Sequence, residues 1–456
     1  MKSMDKLSST LLGLSAQIAE GRCSSLELTE EAYSRIADTK GEGKRAFIRL
    51  FKETAIATAK AWDTLRAAKS PPPPLAGIPI SVKDLFDVAG STTTAGSVVL
   101  KRNPPAAADA PVVARLRAAG AVIIGATNMT EFAMGGLGIN PHYGTPLNPF
   151  DRATGRIPGG SSSGGAVAVA DAMVAGAIGT DTAGSVQMPA ALCGLVGFKP
   201  TARRVPQAGS IPLAPSADSI GPIARSVQCC ALLDSIISAD GSSAPRAIAP
   251  SRLRIAVAQT LVQDDMEPAV AQAFSHALAA LSKAGVQIVE IPLKELAEIP
   301  QAMARFGFSV VEGYAWHREL LSAHRDEYDP FVAARFEKGA LISAADYIDL
   351  LKNRADLIRR CATLTRDFDA IAMPTVQFVA PPLAALQSDE QLWLATSLRI
   401  IRNPGVANFL DRCAITLPCH DTGCAPVGLS LVGNAMDDRH LLAVATAVET
   451  VLQQSR

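Results

Sequence analysis

Two short stretches concentrate hydroxyls and glycines in a way that suits acyl-transfer chemistry. Gly159-Gly160-Ser161-Ser162-Ser163-Gly164-Gly165 sets three serines among four glycines, and Gly179-Thr180-Asp181-Thr182-Ala183-Gly184-Ser185 sets three more hydroxyls and a carboxylate between further glycines. Turn chemistry alone accounts for either one. Both, however, are bracketed by apolar small-residue sequence that must be buried, so their hydroxyls and amides need partners inside the protein. A loop of bare backbone N–H groups beside a serine is also what an oxyanion hole requires. Lys83 closes the apolar run Ile78 to Val82, where a lysine either snorkels to the surface or is buried and satisfied by hydroxyls.

Three rival sites carry less. Gly160 to Gly164 matches G-x-S-x-G, which would make Ser162 the nucleophile of a strand-to-helix elbow. An elbow needs an apolar strand directly before the serine, and Arg152 to Pro158 is polar and proline-broken; none of the six histidines has a setting that marks it as the partner base. Cys419, His420, Asp421 and Cys424 crowd one stretch, but their spacing matches no zinc pattern and the stretch joins two strand-like runs. Ser3 and Lys6 match S-x-x-K at a terminus expected to fray.

The elements around these residues alternate. Ser24 with Glu27 forms a capping box before a helical run, and Ala55 to Ala67 continues in the same style until Pro71 to Pro74 stops helix formation. Strand Ile78–Val82, a helix capped by Asp109-Ala110-Pro111 and ending at Gly120, and strand Ala121–Ile124 follow, a texture that favours parallel strands with helices packed on the sheet. Arg252–Val257 and Val286–Ile291 read as strands around the helix Pro268–Ala284. Glu295 to Arg366 reads as largely helical with Tyr314, Trp316 and Phe331 as apolar anchors. Val427–Val432 returns to strand and Asp438–Gln453 closes as helix.

The chain has 456 residues, 48% hydrophobic and 19% charged, enough to bury a large core. Its 43 basic and 43 acidic residues cancel, which leaves no electrostatic footprint for nucleic acid or an anionic membrane. Charged residues interrupt the leucines between Met1 and Gln17, unlike a secretory leader, and no apolar stretch reaches the length of a bilayer span. Eight cysteines without a regular framework read as reduced thiols, so a cytoplasmic location is expected.

Taken together, the two hydroxyl loops, Pro189-Ala190, Cys193-Gly194 and Gly197-Phe-Lys-Pro-Thr201 resemble the amidase signature. The likeness extends to Leu75 through Lys83-Asp84, Gly120 to Gly125, Asn128 with Glu131-Phe132, Asn148-Pro149, Asp218 with Gly221-Pro222, and Pro426 to Leu429. It runs through about residues 70–225 and resumes near 405–440; the stretch 230–400 is not diagnostic. The resemblance implies an α/β fold with a mixed, mostly parallel central sheet covered by helices on both faces. It implies a single amidase domain over 1–456, divided into N-terminal helices (1–70), signature core (71–230), a largely helical segment (295–366) and a C-terminal return to the core (405–456).

It further implies a serine, cis-serine and lysine triad in a C–N hydrolase that needs no cofactor or metal. Ser185 is then the nucleophile, Ser161 the bridging serine and Lys83 the ultimate base, with the N–H groups of Thr182, Ala183, Gly184 and Ser185 holding the oxyanion. A lysine removed from bulk water has its pKa lowered, so its neutral amine can take a proton relayed through a serine. The chain departs from many relatives at Val186-Gln187-Met188, where an arginine is common. With Gln187 and Met188 as neutral substrate contacts, a neutral aryl or alkyl amide is expected, unless an arginine such as Arg305 or Arg318 reaches the pocket. The partners expected are a small amide, no nucleic acid and no membrane, with room for a homodimer. The alternative is a glutaminase subunit feeding an amidotransferase complex.

Overall fold

In the computed structural model, residues 6–241 and 244–455 are described. Eleven strands form one sheet: β1 (Phe47–Leu50), β2 (Pro79–Lys83), β3 (Val122–Thr127), β4 (Gly176–Asp181), β5 (Val196–Lys199), β6 (Ser219–Ala224), β7 (Arg254–Ala258), β8 (Gln287–Ile291), β9 (Ala370–Pro374), β10 (Ala414–Pro418) and β11 (Gly428–Val432). Their order across the sheet is β1-β3-β2-β4-β6-β5-β10-β11-β9-β7-β8. Strands β2, β3, β4, β6 and β11 are buried along their whole length, so they read as unbroken runs of small and apolar residues. Only toward the ends of the sheet, at β1 and β8, does exposure begin.

The sheet is mixed. Parallel pairs cluster in two places, β3/β2/β4 and β9/β7/β8, where helices make the crossovers. The other six neighbour pairs are antiparallel, including the β10–β11 hairpin across the Cys419–Cys424 loop, so parallel pairs are the minority among the described strands. Helices cover the sheet, with Ser163–Ala170 and Asp438–Gln454 lying against its centre.

Local signals hold in detail at several points. The Ser24 hydroxyl accepts from the Glu27 N–H while the Glu27 carboxylate answers the Ser24 N–H, starting the helix Ser25–Ala37. Helices Pro268–Lys283 and Asp438–Gln454 fall where the apolar spacing puts them. Two local readings are corrected. Asp109 does not cap the helix Pro111–Ala118; it accepts from the Ala89 N–H at 2.8 Å and pairs with Arg117, which ties two loops together instead. Within 295–366, Trp316 and Phe331 are partly solvent-facing; the buried anchors are His317, Tyr328 and Phe336, whose rings pack among helices Phe308–His324 and Pro330–Glu337, and Phe308, whose ring meets Tyr347 and Phe409. No described helix is long and apolar enough to cross a membrane.

The parallel core explains where chemistry can collect. Strands β2 and β4 run side by side in register, Val82 opposite Ile178, so Lys83 at the end of β2 and Thr180-Asp181 at the end of β4 emerge at the same edge. Loops leaving the carboxyl ends of parallel strands form the natural crevice of such a sheet.

Candidate active site

Lys83 is fully buried, and its Nζ donates to Ser161 Oγ at 2.7 Å and Thr180 Oγ1 at 2.9 Å. No carboxylate lies within ion-pair distance of it among the described residues. Burial pushes its pKa down to about 7, against the weaker opposing pull of Asp181 and Asp218. The amine is thus poised between its two protonation states near neutrality.

Ser161 is held by its backbone. Its carbonyl accepts from the Thr130 N–H at 3.1 Å, and the preceding Gly160 N–H donates to the Gly136 carbonyl at 2.7 Å. The Gly160–Ser161 peptide bond is cis. Gly160 has to be glycine because a Cβ there would sit 2.6 Å from the Gly138 nitrogen. Ser162 faces elsewhere: its Oγ donates to the Thr180 carbonyl at 3.3 Å, and it stands at the start of the helix Ser163–Ala170 with no strand leading into it. The G-x-S-x-G match therefore lacks the elbow its chemistry needs. Ser3 of the S-x-x-K match lies outside the described residues. The Cys419–Cys424 loop is the β10–β11 connection, with His420 Nδ1 accepting from the Val427 N–H at 3.3 Å.

The second loop folds around Asp181, which is fully buried. Its Oδ1 accepts from the Gly184 N–H at 2.7 Å, and its Oδ2 from the Val186 N–H at 2.8 Å and the Gln187 N–H at 3.3 Å. This turn leaves the N–H groups of Thr182, Ala183 and Ser185 without an intramolecular acceptor among the described residues. The Gly184 N–H is already taken by Asp181, so the expectation that it faces an oxyanion is corrected. The Ser185 carbonyl accepts from the Ser162 N–H at 3.3 Å, which joins the two loops, while Ser185 Oγ has no hydrogen-bond partner among the described residues. Of the two expected substrate contacts, Gln187 is turned inward, whereas Met188 stays beside the second loop, its Cε 3.2 Å from where a Cβ on Gly184 would stand. Gln187 Nε2 turns back toward Asp181 Oδ2 at 3.4 Å, and Met188 packs in an apolar cluster with Leu137, Ile157, Leu192 and Ile400.

A cavity of about 510 Å³ opens beside the first loop, with Thr130, Gly135, Leu137, Asp329, Phe331 and Trp393 on its wall. Thr130 connects it to Ser161 through the backbone hydrogen bond above. The Arg335 guanidinium lies 5.4 Å from the Trp393 ring centroid, and a Cβ on Gly135 would come within 3.9 Å of it. It makes no ion pair or hydrogen bond among the described residues, and burial lowers its pKa. Arg305 instead pairs with Asp346, and Arg318 is exposed.

Sequence reasoning missed Thr180, Thr130 and Arg335 as individual residues. Thr180 carried a signal, since it opens the second hydroxyl loop. Arg335 carried none, because its setting arises from a contact between helices distant in sequence.

Residues 27–442 match the family profile described as Amidase. The chain belongs to the amidase signature family. This amidase is 34% identical over 407 residues to 2-amino-5-chloromuconic acid deaminase of Comamonas testosteroni, covering 88% of this chain and 87% of that one. It is 36% identical over 472 residues to a subunit of the glutamyl-tRNA(Gln) amidotransferase of Chloroflexus aggregans, covering 95% and 94%. Among solved structures, a crystal structure of an amidase superposes with a TM-score of 0.87 at 30% identity, over 97% of this chain and 99% of that one. The amidase is accordingly a hydrolase of amide C–N bonds.

Proposed function

We propose that Ser185, Ser161 and Lys83 carry the hydrolysis. The observation that supports this most is a fully buried lysine whose polar partners among the described residues are hydroxyls, one of them Ser161. In this reading, neutral Lys83 accepts the Ser161 proton as Ser161 takes the proton of Ser185, and Ser185 Oγ attacks the amide carbon. The oxyanion is met by the free N–H groups of Thr182, Ala183 and Ser185. Collapse breaks the C–N bond, and the proton returns through Ser161 to the leaving nitrogen, giving an amine or ammonia and an ester on Ser185. Water, deprotonated by the same relay, releases the acid. The whole chain acts as one domain in the cytoplasm, a location that seven buried thiols suit.

For the substrate, the neutral-amide expectation rested on Gln187 and Met188 forming the wall; Gln187 turns back to Asp181, while Met188 remains against Gly184. Arg335 stands behind the cavity wall, its guanidinium 5.4 Å from the ring centroid of the lining residue Trp393 and without an ion pair among the described residues; Asp329 and Glu390 line the same cavity, and a guanidinium shielded from water favours a carboxylate partner. The proposed substrate is therefore an amide that also bears a carboxylate; the Comamonas testosteroni relative is named for an acid substrate. Comparing kcat/KM for the monoamide of a dicarboxylic acid with that for a neutral aryl amide tests this. Arg335→Met should lower the former by roughly 10- to 100-fold, as expected for a charge-assisted hydrogen bond, and leave the latter nearly unchanged. Equal losses on both substrates would refute the assignment.

A second reading is supported by the likeness to the amidotransferase component over nearly the full length. A chain that releases ammonia from glutamine only when a partner is added would favour it over an independent amidase.

A further inference from the structure

Asp218, a buried carboxylate outside the two hydroxyl loops, stands opposite the second of them. β4 and β6 are antiparallel with Asp181 opposite Ser219, so the next pair beyond the ladder is Thr182 opposite Asp218. Asp218 Oδ1 accepts from Thr182 Oγ1 at 2.5 Å, and its Oδ2 accepts from the N–H groups of Leu213 and Ala214 at 3.0 and 3.1 Å. The Asp218 carbonyl accepts from Gln207 Nε2 at 2.6 Å, and neighbouring Ser219 Oγ donates to the Asp181 carbonyl at 3.1 Å. That same carbonyl accepts from Asn408 Nδ2 at 3.1 Å. A charge this deep is costly unless several donors meet it, and here each carboxylate oxygen is met.

The consequence falls on the loop backbone. Asp181 fixes the far half of the loop, at Gly184, Val186 and Gln187, and leaves Thr182 and Ala183 without a backbone acceptor. Thr182 would be free to rotate its N–H away from the reacting centre if its side chain were not held.

We infer that Asp218 is a positioning residue for the reaction, holding Thr182 so that the N–H groups of the second loop stay aimed at the substrate oxygen. The inference rests on the proposed acyl transfer at Ser185. Asp218 also acts on Lys83 electrostatically, together with Asp181, and Glu312 acts in turn on Asp218. Removing its charge lowers the pKa of Lys83, because a carboxylate favours the ammonium form.

The test is Asp218→Asn, which keeps size and shape, alongside Thr182→Val and the double variant. Expected is a fall in kcat of roughly tenfold or more with KM within about threefold, the signature of lost transition-state alignment. The acid limb of the pH profile moves to lower pH, and the double variant is no slower than the worse single one. Hydrogen exchange of the 180–186 peptide rises in Asp218→Asn while that of β6 does not, a readout that needs no activity and stands even if Ser185→Ala disproves the acyl-transfer reading. Unchanged exchange in that peptide, a loss confined to KM, or effects of the two substitutions that simply multiply would each overturn the inference. If Asp218→Asn does not fold, Thr182→Val must by itself show the kcat loss and the raised exchange.

Discussion

Lys83 meets two hydroxyls and no carboxylate within ion-pair distance among the described residues, so nothing close by repays the loss of water around an ammonium. Burial therefore favours the neutral amine, and the group titrates near 7 rather than in the usual lysine range. In the proposed relay the neutral form is the base, so kcat/KM should rise as pH climbs through about 7 and level off above it. Lys83→Ala should cost about 10² to 10⁴ in rate, the range for a lost general base. Lys83→Arg should be equally inactive, because a guanidinium keeps its proton throughout this range. A nearly active arginine variant, read by steady-state kinetics, would mean that the position contributes only charge. At this scale the sequence was informative where chemistry needs a rare residue in a rare place: a lysine ending an apolar strand, serines among glycines. It was uninformative about direction. Nothing in the order Val186-Gln187-Met188 tells that Gln187 turns back to Asp181, since that follows from three-dimensional turn geometry.

The elements matter through how closely they approach. Helix Ser163–Ala170 lies so near helix Gly43–Ala46 and the end of β3 that a Cβ on Gly164 would sit 2.3 Å from the Ala46 carbonyl oxygen and 2.6 Å from the Asn128 nitrogen. Both are backbone atoms and cannot yield as a side chain would. Gly164→Ala should therefore lower the unfolding free energy by about 1–3 kcal/mol, as overpacking does, and reduce activity by shifting the adjoining Ser161–Ser163 segment. Gly405→Ala, where nothing lies within 4 Å, should be neutral or slightly stabilising in the same denaturant titration. Similar losses at both sites would show that close approach is not what demands Gly164. Strands and helices with a clear period or cap were legible, as at Ser24–Glu27 and β2. The capping role expected of Asp109 failed because two tertiary partners, Ala89 and Arg117, compete for the same carboxylate.

At the scale of the whole molecule, the proposed active centre draws on distant parts of the chain: β2, the two hydroxyl loops, and the helices Pro330–Glu337 and Glu390–Arg402 that carry Arg335 and Trp393. The first two were legible, because each contains its own unusual composition. The third was not, because Arg335 sits on an ordinary amphipathic helix and gains its setting only where Pro330–Glu337 meets Glu390–Arg402. The balance of strand directions was equally hidden, since β10 and β11 pair antiparallel with β5 and β9 across long sequence separations. The central claim, that this assembly forms an acyl-enzyme on Ser185, is tested most directly by rapid quenching of the reaction with a slow amide or ester, followed by peptide mass mapping. The account predicts one acyl group per chain, located on Ser185, absent from Ser185→Ala and strongly diminished in Lys83→Ala. An adduct on Ser162, or full turnover by Ser185→Ala with no adduct, would contradict it.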